Sequence, residues 1–183
     1  MQTRHQDRSA YFEETATSCR NYYLPYIEQH TSLKFGRKCR VMEVGCGIGG
    51  ILSIFAAMGA TVTGIDIHKP SIETAKTLFA ERGLKGTFIC SDIFDYSDTQ
   101  PYDLIILHDA LEHIPEKERL MLHLKSFLKA DGLLYLGFPA WQMPFGGHQQ
   151  MAENRIIANC PYIHLLPRSL FRFVFRACGE KES

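Results

Sequence analysis

The sequence predicts an α/β fold: a doubly wound, mainly parallel sheet with helices on both faces. Three observations predict it. Strand-like and helix-like segments alternate from Cys39 to Phe138. The strand-like segments are almost continuously apolar, as strands buried on both faces must be. A glycine-rich turn joins the first of them to a helix. Alternation of this kind with right-handed crossovers gives a doubly wound sheet. The chain has 183 residues, enough for one domain, or one domain with a small cap. With 45% hydrophobic and 22% charged residues it has a globular composition and can bury a core without staples.

Tyr11, Phe12, Tyr22, Tyr23 and Tyr26, with acidic residues between them, predict one or two amphipathic helices before the sheet. Residues 39–44 form the first strand. Ile51 to Met58 is helical and stops at Gly59. Residues 61–65 form the second strand. Ser71 to Arg82 is an amphipathic helix with Pro70 near its start and Gly83 after its end. Residues 87–90 and 103–107 are strands three and four. Pro115 to Lys129 is a helix whose Leu120, Leu124, Phe127 and Leu128 share a face. Asp131-Gly132 turns the chain into strand five, Leu133 to Phe138. A last helix begins at Arg168, with Leu170, Phe171, Val174, Phe175 and Cys178 on one face and Arg168, Arg172 and Arg176 on another.

Twenty basic residues balance twenty acidic ones, so composition gives no support to binding nucleic acid or an anionic membrane. The six cysteines contain no Cys-x-x-Cys pair, which argues against a zinc ribbon or dithiol motif. Met1 to Asp7 is polar and lacks the apolar stretch of a signal peptide, so a reducing cytoplasm is expected. Val44 to Ile65 carries no charge and is long enough to span a bilayer. Its glycines 45, 47, 49, 50, 59 and 64 fit a buried strand–turn–helix–strand unit better.

Ligands of such sheets bind beyond the carboxyl ends of the strands. Gly45-Cys46-Gly47-Ile48-Gly49-Gly50 follows strand one and also satisfies the Gly-x-Gly-x-x-Gly dinucleotide pattern. Asp66 ends strand two, where a carboxylate can accept both ribose hydroxyls. Asp92 follows strand three and can accept a hydrogen bond from an adenine amino group. Glu43 sits inside an apolar strand just before the glycines. A buried carboxylate there needs a partner, either a ligand ammonium or the N–H groups of the turn. A ligand with an ammonium, a ribose and an adenine but no phosphate accounts for acids all round the crevice.

Glu43-Val44-Gly45-Cys46-Gly47-Ile48-Gly49, Asp66, Ser91-Asp92-Ile93 and Tyr102-Asp103-Leu104-Ile105 together resemble class I S-adenosylmethionine-dependent methyltransferases. The resemblance spans about residues 10–178. It implies a Rossmann-like methyltransferase fold that uses S-adenosyl-L-methionine. It implies that Gly45, Cys46, Gly47 and Gly49 line the methionine portion, that Asp66 holds the ribose, and that Ile67, Asp92 and Ile93 frame the adenine. Glu43 and His108 complete the cofactor-facing set. Residues 1–30 are expected to be a helical lid and 31–183 the S-adenosylmethionine-binding domain. No residues remain for strands six and seven of that fold, so an unpaired sheet edge, and self-association through it, is expected.

Asp109, Glu112 and His113 would share a face if their segment is helical. The segment resembles the Glu-x-x-Glu-His run of ubiquinone-biosynthesis-type O-methyltransferases, some of which hold a divalent cation there. Asp109 replaces the first Glu, and no metal is assigned. His113 is then the expected general base, in competition with His148. Trp141, Met143, Phe145 and His148, with Tyr162 and His164 behind them, are the expected substrate wall. The expected activity is methylation of an oxygen on a small molecule. The alternatives are a methyltransferase acting on protein or RNA, a nicotinamide-dependent oxidoreductase (no Tyr-x-x-x-Lys pair supports it) and a non-catalytic nucleoside-binding module.

Overall fold

A computed structural model describes residues 7–140, 142–144 and 154–177. The chain divides into two compact units, residues 1–138 and 139–183. In the first, β1 (Arg40–Val44), β2 (Thr61–Asp66), β3 (Thr87–Cys90), β4 (Tyr102–His108) and β5 (Leu128–Gly137) form one sheet. The strand order is β3-β2-β1-β4-β5, and every pairing is parallel. The chain reverses its direction of travel across the sheet between β1 and β4, which makes their carboxyl ends the switch point where such folds bind ligands.

Strand periodicity sorts the core into two layers. Val41, Leu104 and Ile106 face one side, with Ile51, Leu52 and Phe55 of α3 (Gly50–Ala57) and Ile72 and Phe79 of α4 (Lys69–Glu81). Met42, Val44, Ile105 and Leu107 face the other, with Leu120, Leu124 and Phe127 of α5 (Lys117–Phe127). Helices on both faces are the doubly wound arrangement expected from the sequence. Glu43 shares the face of Val41, so the alternation that packs β1 also turns a carboxylate toward α3.

The N-terminal segment forms α1 (Arg8–Ser18), a π turn (Cys19–Tyr23) and α2 (Leu24–His30). Helix α1 docks on α3 and α4. Phe12 is buried and meets Phe79 edge to face at 6.3 Å. Arg82 lies 4.4 Å above the Phe12 ring and pairs with Glu13 at 2.8 Å. Burying a side chain of this size is worth about 1.5–3 kcal/mol, well above an exposed ion pair, so Phe12 anchors the helix.

Two boundaries differ from the sequence reading. Strand β5 starts at Leu128, not Leu133, and α5 ends at Phe127, not Lys129. Leu128 already pairs with Tyr102, and the register slips before Leu133 meets Leu104. Lys129 pins this early stretch through Asp103 at 2.7 Å. Asp131-Gly132 is therefore a bulge within the strand. Val44 to Ile65 is strand end, turn, helix and strand. Among the described residues no helix is long and apolar enough to cross a membrane.

The second unit holds α6 (Arg155–Asn159), a 3-10 turn (Ile163–Leu165) and α7 (Arg168–Ala177). Within it the Tyr162 N–H donates to the Pro144 carbonyl at 2.6 Å. Trp141, Phe145, His148 and Cys178 lie outside the described residues.

Gly50 reports on the docking of α1. A Cβ there would run into Thr15 Oγ1 and come within 2.6 Å of the Phe12 carbonyl oxygen. Helix propensity alone favours alanine over glycine by about 1 kcal/mol. Gly50→Ala is nevertheless expected to lower the melting temperature. It should also strip hydrogen-exchange protection from residues 8–18 before it affects the sheet. Unchanged protection there would show that α1 does not depend on this contact.

Candidate functional site

The turn after β1 is fixed by its glycines. Gly45, Gly47 and Gly49 have φ of +74°, +51° and +83°, a region costly for other residues. Four of its amides are spent on the protein itself. The N–H groups of Gly45 and Cys46 donate to the Ile65 carbonyl at 2.8 and 3.1 Å. Gly49 donates to the Cys46 carbonyl at 2.9 Å. Gly47 donates to Asp66 Oδ2 at 2.8 Å, and His68 donates to Asp66 Oδ1 at the same distance. Each carboxylate oxygen of Asp66 thus keeps one lone pair for a further donor.

Two cavities flank this turn. The first, about 330 Å³, lies between the turn, the ends of β1 and β4, and the N-terminal helices. Glu43, Gly45, Cys46, Gly47, His108 and Asp109 line it from the sheet; Tyr11, Glu14, Thr15, Ser18 and Tyr23 line it from α1 and the π turn. The second, about 460 Å³, lies between the ends of β1, β2 and β3 and the segment after β4. Asp66, Ile67, Asp92, Ile93, Ala110 and His113 are among its walls. Gly45 and Asp109 border both. Ile67 is 75% exposed, an apolar side chain left bare at the rim.

Glu43 is the anomaly of the first cavity. Only 3% of its surface is exposed, and its Oε2 has no hydrogen-bond partner among the described residues. Burial, reinforced by Asp66, raises its carboxyl well above the ordinary 4.5, which favours the protonated form. The turn amides described above donate elsewhere and leave it unanswered. Cys46 beside it is pushed up as well, first by burial and then by Glu43 and Asp66. It is a packing thiol, buried against Gly64, where a Cβ would lie 2.7 Å from Sγ. Tyr23 is pushed up to about 12, mainly by burial, then by Tyr135, Asp109 and Cys19.

With this geometry in place, comparison with known proteins is decisive. Residues 36–178 match the methyltransferase domain family. The chain belongs to that family. Over 119 residues the methyltransferase domain is 39% identical to the ubiquinone biosynthesis O-methyltransferase of Actinobacillus pleuropneumoniae, covering 61% of this chain and 50% of that protein. The enzyme of the same name from Coxiella burnetii is 38% identical over 114 residues, covering 61% and 47%. The chain spans about half the length of these curated relatives. Among solved structures, an S-adenosylmethionine-dependent methyltransferase from Clostridium acetobutylicum superposes with a TM-score of 0.60 at 16% identity, covering 70% and 51%. The plantazolicin methyltransferase BpumL gives 0.58 at 22%, covering 74% and 53%. At these identities the likeness concerns the fold, which is Rossmann-like.

Most of the residues picked from the sequence converge on the two cavities of the methyltransferase domain. Glu43, Gly45, Cys46, Gly47 and His108 line the first, and Asp66, Ile67, Asp92, Ile93 and His113 the second. Gly49 lines neither: a Cβ there would lie 2.9 Å from Phe88, on the core side of the turn. The helical face proposed for Asp109, Glu112 and His113 does not form. Asp109 has φ of +50°, and only Leu111 to His113 make a single 3-10 turn. Ala110 is drawn against the glycine turn, where a Cβ on Gly45 would lie 2.6 Å from its own. Among the described residues no group of three His, Cys, Asp or Glu side chains could hold a metal ion. Sequence reasoning missed Glu14, Thr15 and Ser18. The aromatic N-terminal segment was the available signal, but it did not say which polar side chains face inward.

The raised Glu43 carboxyl has a consequence for stability. The folded state holds this proton more tightly than the unfolded chain. Its contribution is full below pH 4.5 and is lost as the pH rises through the folded value. Glu43→Gln, which keeps the shape without the ionisation, should remove this loss. Melting temperatures of ligand-free protein from pH 4.5 upward are expected to fall more steeply for the wild type than for the variant. Parallel curves would contradict burial of the proton.

Proposed function

We propose that the chain is an S-adenosylmethionine-dependent methyltransferase that methylates an oxygen of a small molecule. The observation that carries this reading is Glu43, which lines the first cavity and whose buried Oε2 has no hydrogen-bond partner among the described residues. A methionine ammonium placed there would satisfy it and allow the carboxyl to ionise. The second cavity then suits the nucleoside. Asp66 has lone pairs for the ribose hydroxyls, and Ile67, Asp92 and Ile93 line the same cavity, apolar and polar groups suited to an adenine. The donor set fits the cofactor.

It fits a dinucleotide poorly. A pyrophosphate needs free backbone N–H groups and an open helix start. The N–H groups of Gly45, Cys46, Gly47 and Gly49 are used internally. A Cβ on Gly50 would meet Thr15 and the Phe12 carbonyl, so α1 packs closely on the first turn of α3.

When bound, the cofactor supplies a methyl group already activated on a sulfonium. The residues of the chain have the remaining tasks: align the acceptor oxygen with that methyl, exclude water and take up the acceptor proton. The N-terminal helices, packed over the first cavity, are proposed as the lid. His113, on the nucleoside side, is proposed to frame the adenine. The small-molecule acceptor accords with the names of the curated relatives. The chain is expected to act in solution in the cytoplasm, without nucleic acid.

Glu43→Gln gives a specific test. S-adenosylhomocysteine carries the ammonium; 5′-methylthioadenosine does not. A charge-assisted hydrogen bond is worth about 1.5–3 kcal/mol, so the variant should bind the former roughly ten- to a hundredfold more weakly. Affinity for 5′-methylthioadenosine should be unaffected in calorimetry. Equal losses for both ligands, or tighter binding of NADH than of either, would overturn the reading.

A further inference from the structure

We propose that His108 and Asp109 form the base of the transfer step, with His108 Nε2 receiving the acceptor proton and Asp109 fixing the imidazole. The inference rests on the methyltransferase reading above and assigns the proton transfer to a different histidine from the two the sequence suggested.

Position is the first argument. Both residues stand at the carboxyl end of β4 and line the methionine-side cavity. Asp109 also borders the nucleoside cavity, so the pair marks the junction of the two. In a ligand whose amino acid fills one cavity and whose adenosine fills the other, the sulfonium methyl lies at that junction. His113 lines the nucleoside cavity alone.

Geometry is the second. Asp109 Oδ2 lies 3.3 Å from His108 Nδ1. Two residues pack closely on the imidazole. The Tyr23 ring lies on it at 4.5 Å with 32° between planes. Gly137 is the second, where a Cβ would come within 2.5 Å of Cδ2 and 3.2 Å of Nε2. A glycine in β5 is what leaves room for this ring. No hydrogen bond from the described residues occupies Nε2, and a carboxylate at Nδ1 is the arrangement that leaves Nε2 able to accept a proton.

Backbone conformation is the third. Asp109 is one of two non-glycine residues with positive φ among those described. Its N–H is still held by the Gly137 carbonyl at 2.9 Å, so the left-handed turn begins from a fixed point. Strain of this kind persists where the surroundings impose it, commonly at reactive sites. Tyr23 is no competitor for the role: with its phenol pushed up to about 12, it stays protonated.

The step balances. The acceptor O–H bond breaks and its proton goes to His108 Nε2. The oxygen forms a bond to the methyl carbon with its own electron pair. The carbon–sulfur bond breaks, and that pair stays on sulfur as a neutral thioether. The imidazolium then returns the proton to solvent.

The test uses the full chain, S-adenosylmethionine and catechol as acceptor, with S-adenosylhomocysteine affinity and melting temperature measured alongside. General-base removal costs about a hundredfold or more in rate, so His108→Ala should lower kcat by that much. Its affinity for S-adenosylhomocysteine should be unchanged, and added imidazole should restore part of the rate. Asp109→Asn tolerates the left-handed backbone and should lower kcat while leaving KM for S-adenosylmethionine unchanged. An unchanged kcat in His108→Ala overturns the assignment. So does loss of rate together with S-adenosylhomocysteine affinity and no rescue by imidazole, which would make His108 a cofactor contact. If the wild type itself binds no S-adenosylhomocysteine, the methyltransferase reading fails first.

Discussion

A carboxyl group buried without a partner is the constraint on which this structure turns. Glu43 sits in the middle of the sheet, on its central strand, and its Oε2 meets no donor among the described residues. Leaving a polar group this way costs of order 1–3 kcal/mol, and ionising it there costs more. Burial, with Asp66 nearby, shifts the group toward its protonated form. The surroundings do nothing to relieve it: the glycine turn directs its amides to Ile65, Cys46 and Asp66 instead. That orphaned carboxyl is the group the proposed cofactor ammonium would meet.

The neighbouring architecture follows from the same point. Because β1 alternates, the face that carries Glu43 is the face that α3 and α1 must cover. Helix α1 covers it with Thr15 and Ser18, and the π turn adds Tyr23. π turns widen a helix locally and recur at functional sites. Here the widened turn brings an aromatic ring onto His108. The acids nearer the edge of the sheet differ in kind. Asp66 and Asp92 both brace local backbone, through Gly47, His68 and Phe94, and both remain open to a ligand. The carboxyl end of the sheet therefore carries one buried carboxyl and two more exposed carboxylates that brace backbone.

Much of this was legible in the sequence because it depends on local rules. Near-continuous apolar strands and glycines at helix ends placed β1 to β4 to within a residue. The same logic put Glu43, Asp66 and Asp92 at one end of the sheet. What escaped depends on contacts between distant segments. Asp109 to His113 has helical spacing, but the docking of Ala110 against Gly45 forces a left-handed residue and a single tight turn. Nothing in the spacing reports a neighbour sixty residues upstream. Gly49 looks like its fellow glycines, yet it faces Phe88 and the core. The wedge that holds His108 needs Gly137 from one strand and Tyr23 from the N-terminal segment, so no local pattern announces it.

The most direct test of the central claim is the proton balance of cofactor binding. Calorimetric titration of S-adenosylhomocysteine near neutral pH, repeated in buffers of different ionisation enthalpy, reads protons released on binding. If a bound ammonium ionises Glu43, the wild type releases up to one proton per cofactor and Glu43→Gln releases none. Binding with no proton released, or the same release from both proteins, would show that Glu43 does not meet the cofactor's charge.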